Sequence, residues 1–245
     1  MTRNQRIEVF DHASDLLIYE PATHSLILDS TVMTKDHYKT YHVFAADRKS
    51  IYFCSADTMP IPSKVTEIRY NLYKIGFDPE AGRYNGKADT IVDARKAGKS
   101  ISSPRPSYDG RYLMFTMADY GTFPIWHKEA DLYLLDLCTG QYESLTACNS
   151  NDTESFHNWS GNSRWIVFSS RRGTGLYTRL YFSHIDSNGK ASKPFLMPQR
   201  NPWDYYNRMM QSYNIPKFTK TRVEFDARAA GREIESDKRI RTNIK

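Results

Sequence analysis

The chain has 245 residues, enough for one large domain or two small ones around a real apolar core. Hydrophobic residues make up 40% and charged residues 25%, which excludes wholesale disorder, and 17 Tyr with 12 Phe favour strands over helices. No apolar run is long enough to span a membrane, and the three scattered cysteines (Cys54, Cys138, Cys148) exclude a disulfide framework or a four-ligand zinc site. The net charge of +6 is uneven: residues 217–245 hold nine Lys/Arg against five Asp/Glu, a net of +4, leaving +2 for the rest. That pattern reads as a solvated basic tail on a nearly neutral body, and nucleic acid is not the expected partner.

In chain order, residues 15–28 (DLLIYEPATHSLIL) read as one hairpin: a strand, a Pro-Ala-Thr-His turn and a second strand. A longer unit then occurs three times. Residues 44–53 (FAADRKSIYF), 106–115 (PSYDGRYLMF) and 159–168 (WSGNSRWIVF) align without gaps. Each centres on Asp47, Asp109 or Asn162, has a basic residue two positions later (Lys49, Arg111, Arg164) and closes on Phe. Asp and Asn before a left-handed residue are hairpin-turn chemistry, and the apolar run after them is a buried strand. Downstream in each unit comes a Leu-Tyr strand (NLYKI, DLYLL, RLYFS), then a tight turn at 78–82, 138–140 or 186–189, then a short closing strand.

Each unit is thus two hairpins, repeated at offsets of 62 and 53 residues. Four antiparallel strands at that pitch describe a propeller blade. The expected fold is all-β: a partial β-propeller of four-stranded antiparallel blades over residues 1–200. It comprises a half-blade at 15–28 and blades at about 40–86, 101–146 and 155–197. Open stacks expose an apolar face at each end, so self-association through blade faces is expected. Asn201-Pro202-Trp203-Asp204 is a helix-start signal and predicts a short helix over 202–211 within a 201–215 extension. Residues 216–245 form the basic tail, whose weak periodicity around 227–240, interrupted by Gly231, leaves helix and frayed chain both open.

The pattern aromatic-Ser-x-Asp-Gly-Arg-x-apolar-x-Phe, followed by Asp-Leu-Tyr and Asp-x-x-Thr-Gly, resembles the WD-like repeat of TolB-type β-propellers over residues 15–199. The stretches from SPRPSYDGRY to DLYLLDL, and from TESFHNWSGNSRW to GTGLYTR, resemble bacterial secreted or lipid-anchored TolB-like proteins of unassigned activity. Unit one departs from the pattern, with Ala-Ala-Asp-Arg in place of Ser-x-Asp-Gly. The resemblance implies about six blades in the relatives, of which this chain matches the later half. It also implies the bacterial periplasm or cell envelope. The N-terminus, MTRNQRIEVF, carries no apolar leader, so a cytoplasmic location is expected if this is the complete product.

Strand direction places the tight turns on one side and the long loops, 54–69, 116–130 and 169–178, with the crossovers 86–101 and 146–156, on the other. Function concentrates on long loops held by a rigid scaffold. Tyr120, Phe123, Trp126 and His127, with Met59, Ile61 and Pro62, supply aromatic and apolar anchors there. Alternatively, Phe123 and Trp126 pack back onto the blade as a loop plug. Arg171 and Arg172 are fork donors for a carboxylate or partners of a neighbouring blade's acid. His42 and His157 occupy one repeat position near the central channel, and with Glu154 they are the nearest thing to a metal-ligand set. Oligogalacturonate lyases, relatives of this propeller class, look similar in holding a channel-mouth metal with histidines. Equivalent positions in separate blades point apart, however, and no metal or other cofactor is expected.

Enzyme motifs are mostly absent: no Gly-x-Ser-x-Gly elbow, no phosphate-binding glycine loop and no Cys-x-x-Cys. Asp119 and Glu129 flank one loop without being marked as a glycosidase pair. Two readings follow. One is a non-enzymatic scaffold binding a protein or peptide through the long-loop face; the other is a carbohydrate-active lyase using His, Glu and Arg at the channel mouth. Convergence of His42, His127, His157 and Glu154 would favour the second, and an apolar patch around Trp126 the first.

Overall fold

The computed structural model describes residues 11–245. β1 (Ile18–Glu20) and β2 (Ser25–Ile27) make the half-blade. The first full blade is β3 (His37–Phe44), β4 (Ser50–Asp57), β5 (Asn71–Asp78) and β6 (Arg83–Val92), an antiparallel meander. The second is β7 (Ser100–Pro106), β8 (Tyr112–Ala118), β9 (Asp131–Asp136) and β10 (Tyr142–Ser144). The third is β11 (Glu154–Trp159), β12 (Trp165–Ser170), β13 (Arg179–His184) and β14 (Phe195–Leu196). The all-β partial propeller expected from the repeats is the observed fold.

The repeat works through the same atoms in each blade. Asp47, Asp109 and Asn162 accept through Oδ1 the amide two residues on, from Lys49 (2.8 Å), Arg111 (3.1 Å) and Arg164 (3.1 Å). The intervening residue takes the left-handed conformation: Arg48, Gly110 and Ser163 have φ of 58°, 74° and 57°. The side-chain bond supports the turn locally, so it closes in unit one even with arginine in glycine's place. A second shared feature lies in the innermost strands. Tyr41, Ser103 and Phe156 have positive φ at the register breaks of β3, β7 and β11, one bulge per blade.

Blades stack because each second strand is apolar on both sides. In β4, Ile51 and Phe53 meet Leu16 and Val32 of the half-blade region, while Tyr52 and Cys54 face Leu113 and Phe115 of β8. In β8 the alternate residues Tyr112 and Met114 face Trp159, Ile166 and Phe168 of the third blade. The period of two thus splits one strand between two interfaces. β6 runs on to Val92, pairing with Leu72, so the first crossover is shorter than the sequence implies. Register breaks opposite Leu72/Tyr73 and Lys74/Gly76 let the strand continue past Gly86.

The third blade's far side is partly covered. α1 (Pro202–Arg208) is capped by Asn201, whose Oδ1 accepts the Asp204 amide, and it stops at Arg208, short of Gln211, where Met209 turns extended. Tyr206 is buried and donates to the Met197 carbonyl at 2.7 Å, and Arg179 stacks on its ring. Beyond it the chain runs along the blade: the Asn214 carbonyl accepts from Ser169, the Pro216 carbonyl accepts from Asn158, and Phe218 packs on Phe182. At this end the C-terminal extension covers part of the blade face, while Trp165 and Phe195 on the same side stay 38% and 46% exposed. The half-blade's outward side carries exposed Leu17, Tyr19 and Leu28. α2 (Ala227–Glu235), capped by Asp226, buries no residue, and β15 (Asn243–Ile244) pairs in parallel with β2. No helix of the described residues is long and apolar enough to cross a membrane.

Candidate functional site

The β8–β9 loop is held through its backbone to the first blade and to the second blade's own β7. The Tyr41 hydroxyl donates to the Thr122 carbonyl (2.8 Å), Ser100 Oγ donates to the Gly121 carbonyl (2.6 Å), and the Gly121 amide donates to the Ile68 carbonyl (2.9 Å). On the third-blade side, Thr153 Oγ1 donates to the Pro124 carbonyl (2.9 Å). With its main chain held at both ends, the loop presents its side chains from a fixed backbone.

Four of those side chains meet at one pocket of about 190 Å³ between the first and second blades. Tyr120, Phe123, Trp126 and His127 form one wall, and Ile61, Val65, Ile68, Tyr38 and Tyr70 come from the first blade. Tyr120 lies edge-on to the His127 ring at 4.5 Å, and His127 Nδ1 is 2.9 Å from Glu129 Oε1. Phe123 and Trp126 remain 44% and 49% exposed. Burial raises the pKa of both Tyr41 and Tyr70 above the usual phenol value, keeping both hydroxyls protonated. The pocket is mainly apolar and aromatic, with the Tyr38 and Tyr70 rings, the His127 imidazole and one carboxylate, Asp11, at its wall, a lining suited to side chains or rings.

The other residues singled out from the sequence separate. Glu154 has no exposed surface; its Oε1 accepts from Ser150 Oγ, Ser170 Oγ and Arg172 Nη2 at 2.7, 2.7 and 2.8 Å. Arg172 also donates to the Cys148 carbonyl, so this pair joins the 145–153 crossover to β12 and does not line the pocket. His157 is sealed in the core with Nε2 3.1 Å from the Met114 carbonyl, and burial lowers its pKa to about 3. His42, at the equivalent position of β3, is exposed, with its pKa lowered by desolvation and then by Arg105. Among the described residues, no three His, Cys, Asp or Glu side chains converge as a metal-ligand set. Asp119 and Glu129 are each drawn to a cation-bearing or imidazole partner, Lys99 at 2.6 Å and His127 at 2.9 Å, rather than facing each other across a cleft.

Arg171 behaves differently from its neighbour. Its guanidinium lies 4.6 Å above the Trp126 ring, and it donates to the carbonyls of Ile125 (3.2 Å) and Gly175 (2.6 Å). Trp126 therefore stands as a ridge, with the aromatic pocket on one side and a second pocket, containing Arg171, on the other. Tyr38 and Tyr70 went unnoticed in the sequence because each lies in a strand or loop of another blade, with no local signal of a shared site.

No protein-family model matches the chain, and no curated protein matches it. Solved structures do match in shape. An oligogalacturonate lyase in complex with manganese aligns at a TM-score of 0.50 and 11% identity, covering 76% of this chain and 49% of that one. A puromycin-hydrolyzing peptidase of Mycobacterium tuberculosis aligns at 0.49 and 13%, over 76% and 30% of the two chains. TolB of Acinetobacter baumannii aligns at 0.44 and 18%, over 73% and 40%. At these identities the likeness is one of fold, and the fold is a β-propeller. The chain spans less than half the length of each of these three structures.

Proposed function

We propose that this chain is a non-enzymatic propeller scaffold that binds a protein or peptide partner through its long-loop face, with the aromatic pocket as the anchor site. The observation that carries this reading is the meeting of Tyr120, Phe123, Trp126 and His127 around one apolar pocket while their loop is held by backbone bonds. Half-exposed aromatics on a rigid loop match the composition of interface anchors. The test is a peptide-display selection against the protein, followed by calorimetric titration of the selected peptides. Replacing Trp126 and His127 together by Ala should weaken binding by about thirtyfold or more, the loss expected for an aromatic hot spot, with almost no change in melting temperature. A double mutant that melts several degrees lower and keeps its binding overturns the reading, since Trp126 would then be a plug.

A further inference from the structure

Arg171 and Arg172 are adjacent in the sequence and have opposite fates. Arg172 is committed to Glu154, the Cys148 carbonyl and Ser170. Arg171 has no carboxylate within 4.0 Å among the described residues, and its Nε is buried with no hydrogen-bond partner. Asp152, on the adjoining crossover, directs Oδ1 to the Thr153 amide and forms no ion pair with Arg171. A guanidinium with two carbonyl partners and a stacked indole is fixed in place; it is only part-buried and has no ion-pair partner within 4.0 Å among the described residues. An anion reaching this guanidinium gains a charge-assisted contact with a donor already held in place.

Arg171 opens onto a pocket of about 270 Å³ and is its one charged wall residue. Trp126, Phe156 and Leu176 supply the apolar surface. Phe156 is there because the β11 bulge leaves it outside the ladder. The far wall is Tyr213 and its neighbours from the C-terminal extension. Several of their polar groups are used: the Tyr213 hydroxyl on Tyr205, the Tyr213 carbonyl on Thr178, Ser212 Oγ on the Thr178 amide and the Asn214 carbonyl on Ser169, while Asn214 itself is exposed. The space lies below the ~300–1,000 Å³ typical of drug-sized sites, which fits one residue rather than a long ligand.

We propose that this second pocket binds the C-terminal residue of a peptide, with its carboxylate on Arg171 and an apolar side chain against Phe156 and Leu176. Arginine's planar fork suits a carboxylate held by two parallel hydrogen bonds, whereas a peptide amide end offers it no charge. Trp126 and Ile125 border both pockets, so an extended chain leaving the second pocket passes directly over the first. The residues upstream of the C-terminus then fill the aromatic pocket. The inference rests on the partner-binding reading above and specifies which end of the peptide is recognised. It also gives the C-terminal extension a role beyond covering the third blade, namely building one wall of the site.

The test uses a synthetic array of peptides immobilised through their N-termini, randomised over the last four positions, in matched free-acid and C-terminally amidated forms. Free acids ending in an apolar residue should bind, and amidation should weaken them at least tenfold in titration. Arg171→Gln should weaken the free acids by a similar factor and erase the difference between acid and amide, and Arg171→Lys should restore part of it. Equal binding of acids and amides, with both lost in Trp126→Ala, overturns this inference and leaves the partner-binding reading intact. Binding of neither form overturns both. Should Arg171→Gln fail to fold, the acid–amide comparison on the unaltered protein decides the matter by itself.

Discussion

Arg172 Nη2 lies 2.8 Å from Glu154 Oε1, and no solvent reaches the carboxylate. With Ser150 and Ser170 on the same oxygen and the Ser150 amide on Oε2 at 2.8 Å, both carboxylate oxygens of Glu154 are hydrogen-bonded. A buried pair of this kind contributes little net stability when intact, yet losing one partner strands the other.

Arg172→Met should therefore lower unfolding free energy by about 3–5 kcal/mol in urea titration, the cost of an unpaired buried charge. Glu154→Gln should cost less, because its amide oxygen still accepts the serine hydroxyls and the Arg172 left without a carboxylate is 20% exposed and keeps the Cys148 carbonyl and Ser170. Losses of similar, small size in both variants would show that the site is wetter than the geometry implies.

The acid stability profile has two opposing contributions. His157 binds its proton at about 3 in the folded chain and near 6.5 when unfolded, so the unfolded state gains protons first. Stability from this group is lost as pH falls from about 6.5 toward 3. Asp131 runs the other way: desolvation, with Glu154 and Glu129 adding, raises it from 3.8 to about 6. The folded state then holds the extra proton, and stability declines as pH rises from 3.8 through about 6. Asp131→Asn should melt higher than the parent at pH 7 and lose that advantage near pH 4. His157→Gln, destabilised at pH 7 by losing its bond to Met114, should show a flatter acid limb. A gain for Asp131→Asn that is independent of pH would refute the assignment.

Gly110 sits at φ 74° behind Asp109, where any side chain is strained although its Cβ would meet Ala46 only at 3.4 Å. Gly110→Val should cost about 1–3 kcal/mol through the backbone alone. Gly110→Asn, which tolerates the left-handed region, should recover most of it. An unchanged thermal midpoint for the valine variant is the result that contradicts this turn assignment.

Tyr206 helps cover the end of the stack. Tyr206→Ala removes a buried ring, its hydroxyl bond to Met197 and the surface on which Arg179 stacks. A loss of about 3–5 kcal/mol is expected, with light scattering that grows with protein concentration as the third blade's apolar side is uncovered. A destabilised variant that stays monomeric at high concentration would show that the remaining extension covers the blade without this anchor.

The repeating half of this architecture was legible because its determinants are local. Asp47, Asp109 and Asn162 each bond an amide two residues away, and the two-residue pleat of β4 and β8 assigns alternate side chains to opposite faces whatever lies beyond them. The aromatic loop was legible too, since ring residues clustered between two strands have a compositional signature. What the sequence left open were contacts between distant residues. Tyr41 holds Thr122 from 81 positions away, and Pro216 receives Asn158 across 58. Nothing local marks Glu154 and His157 as internal, because a buried, satisfied polar group has the same letter as a catalytic one. Nor does any local rule separate Arg171 from Arg172. Only the meeting of three chain segments, around residues 126, 171 and 213, decides that one arginine is paired and its neighbour faces a pocket. Turns and pleats are fixed by nearest neighbours along the chain, whereas pocket walls and charge pairing depend on which blades and extensions come to lie side by side.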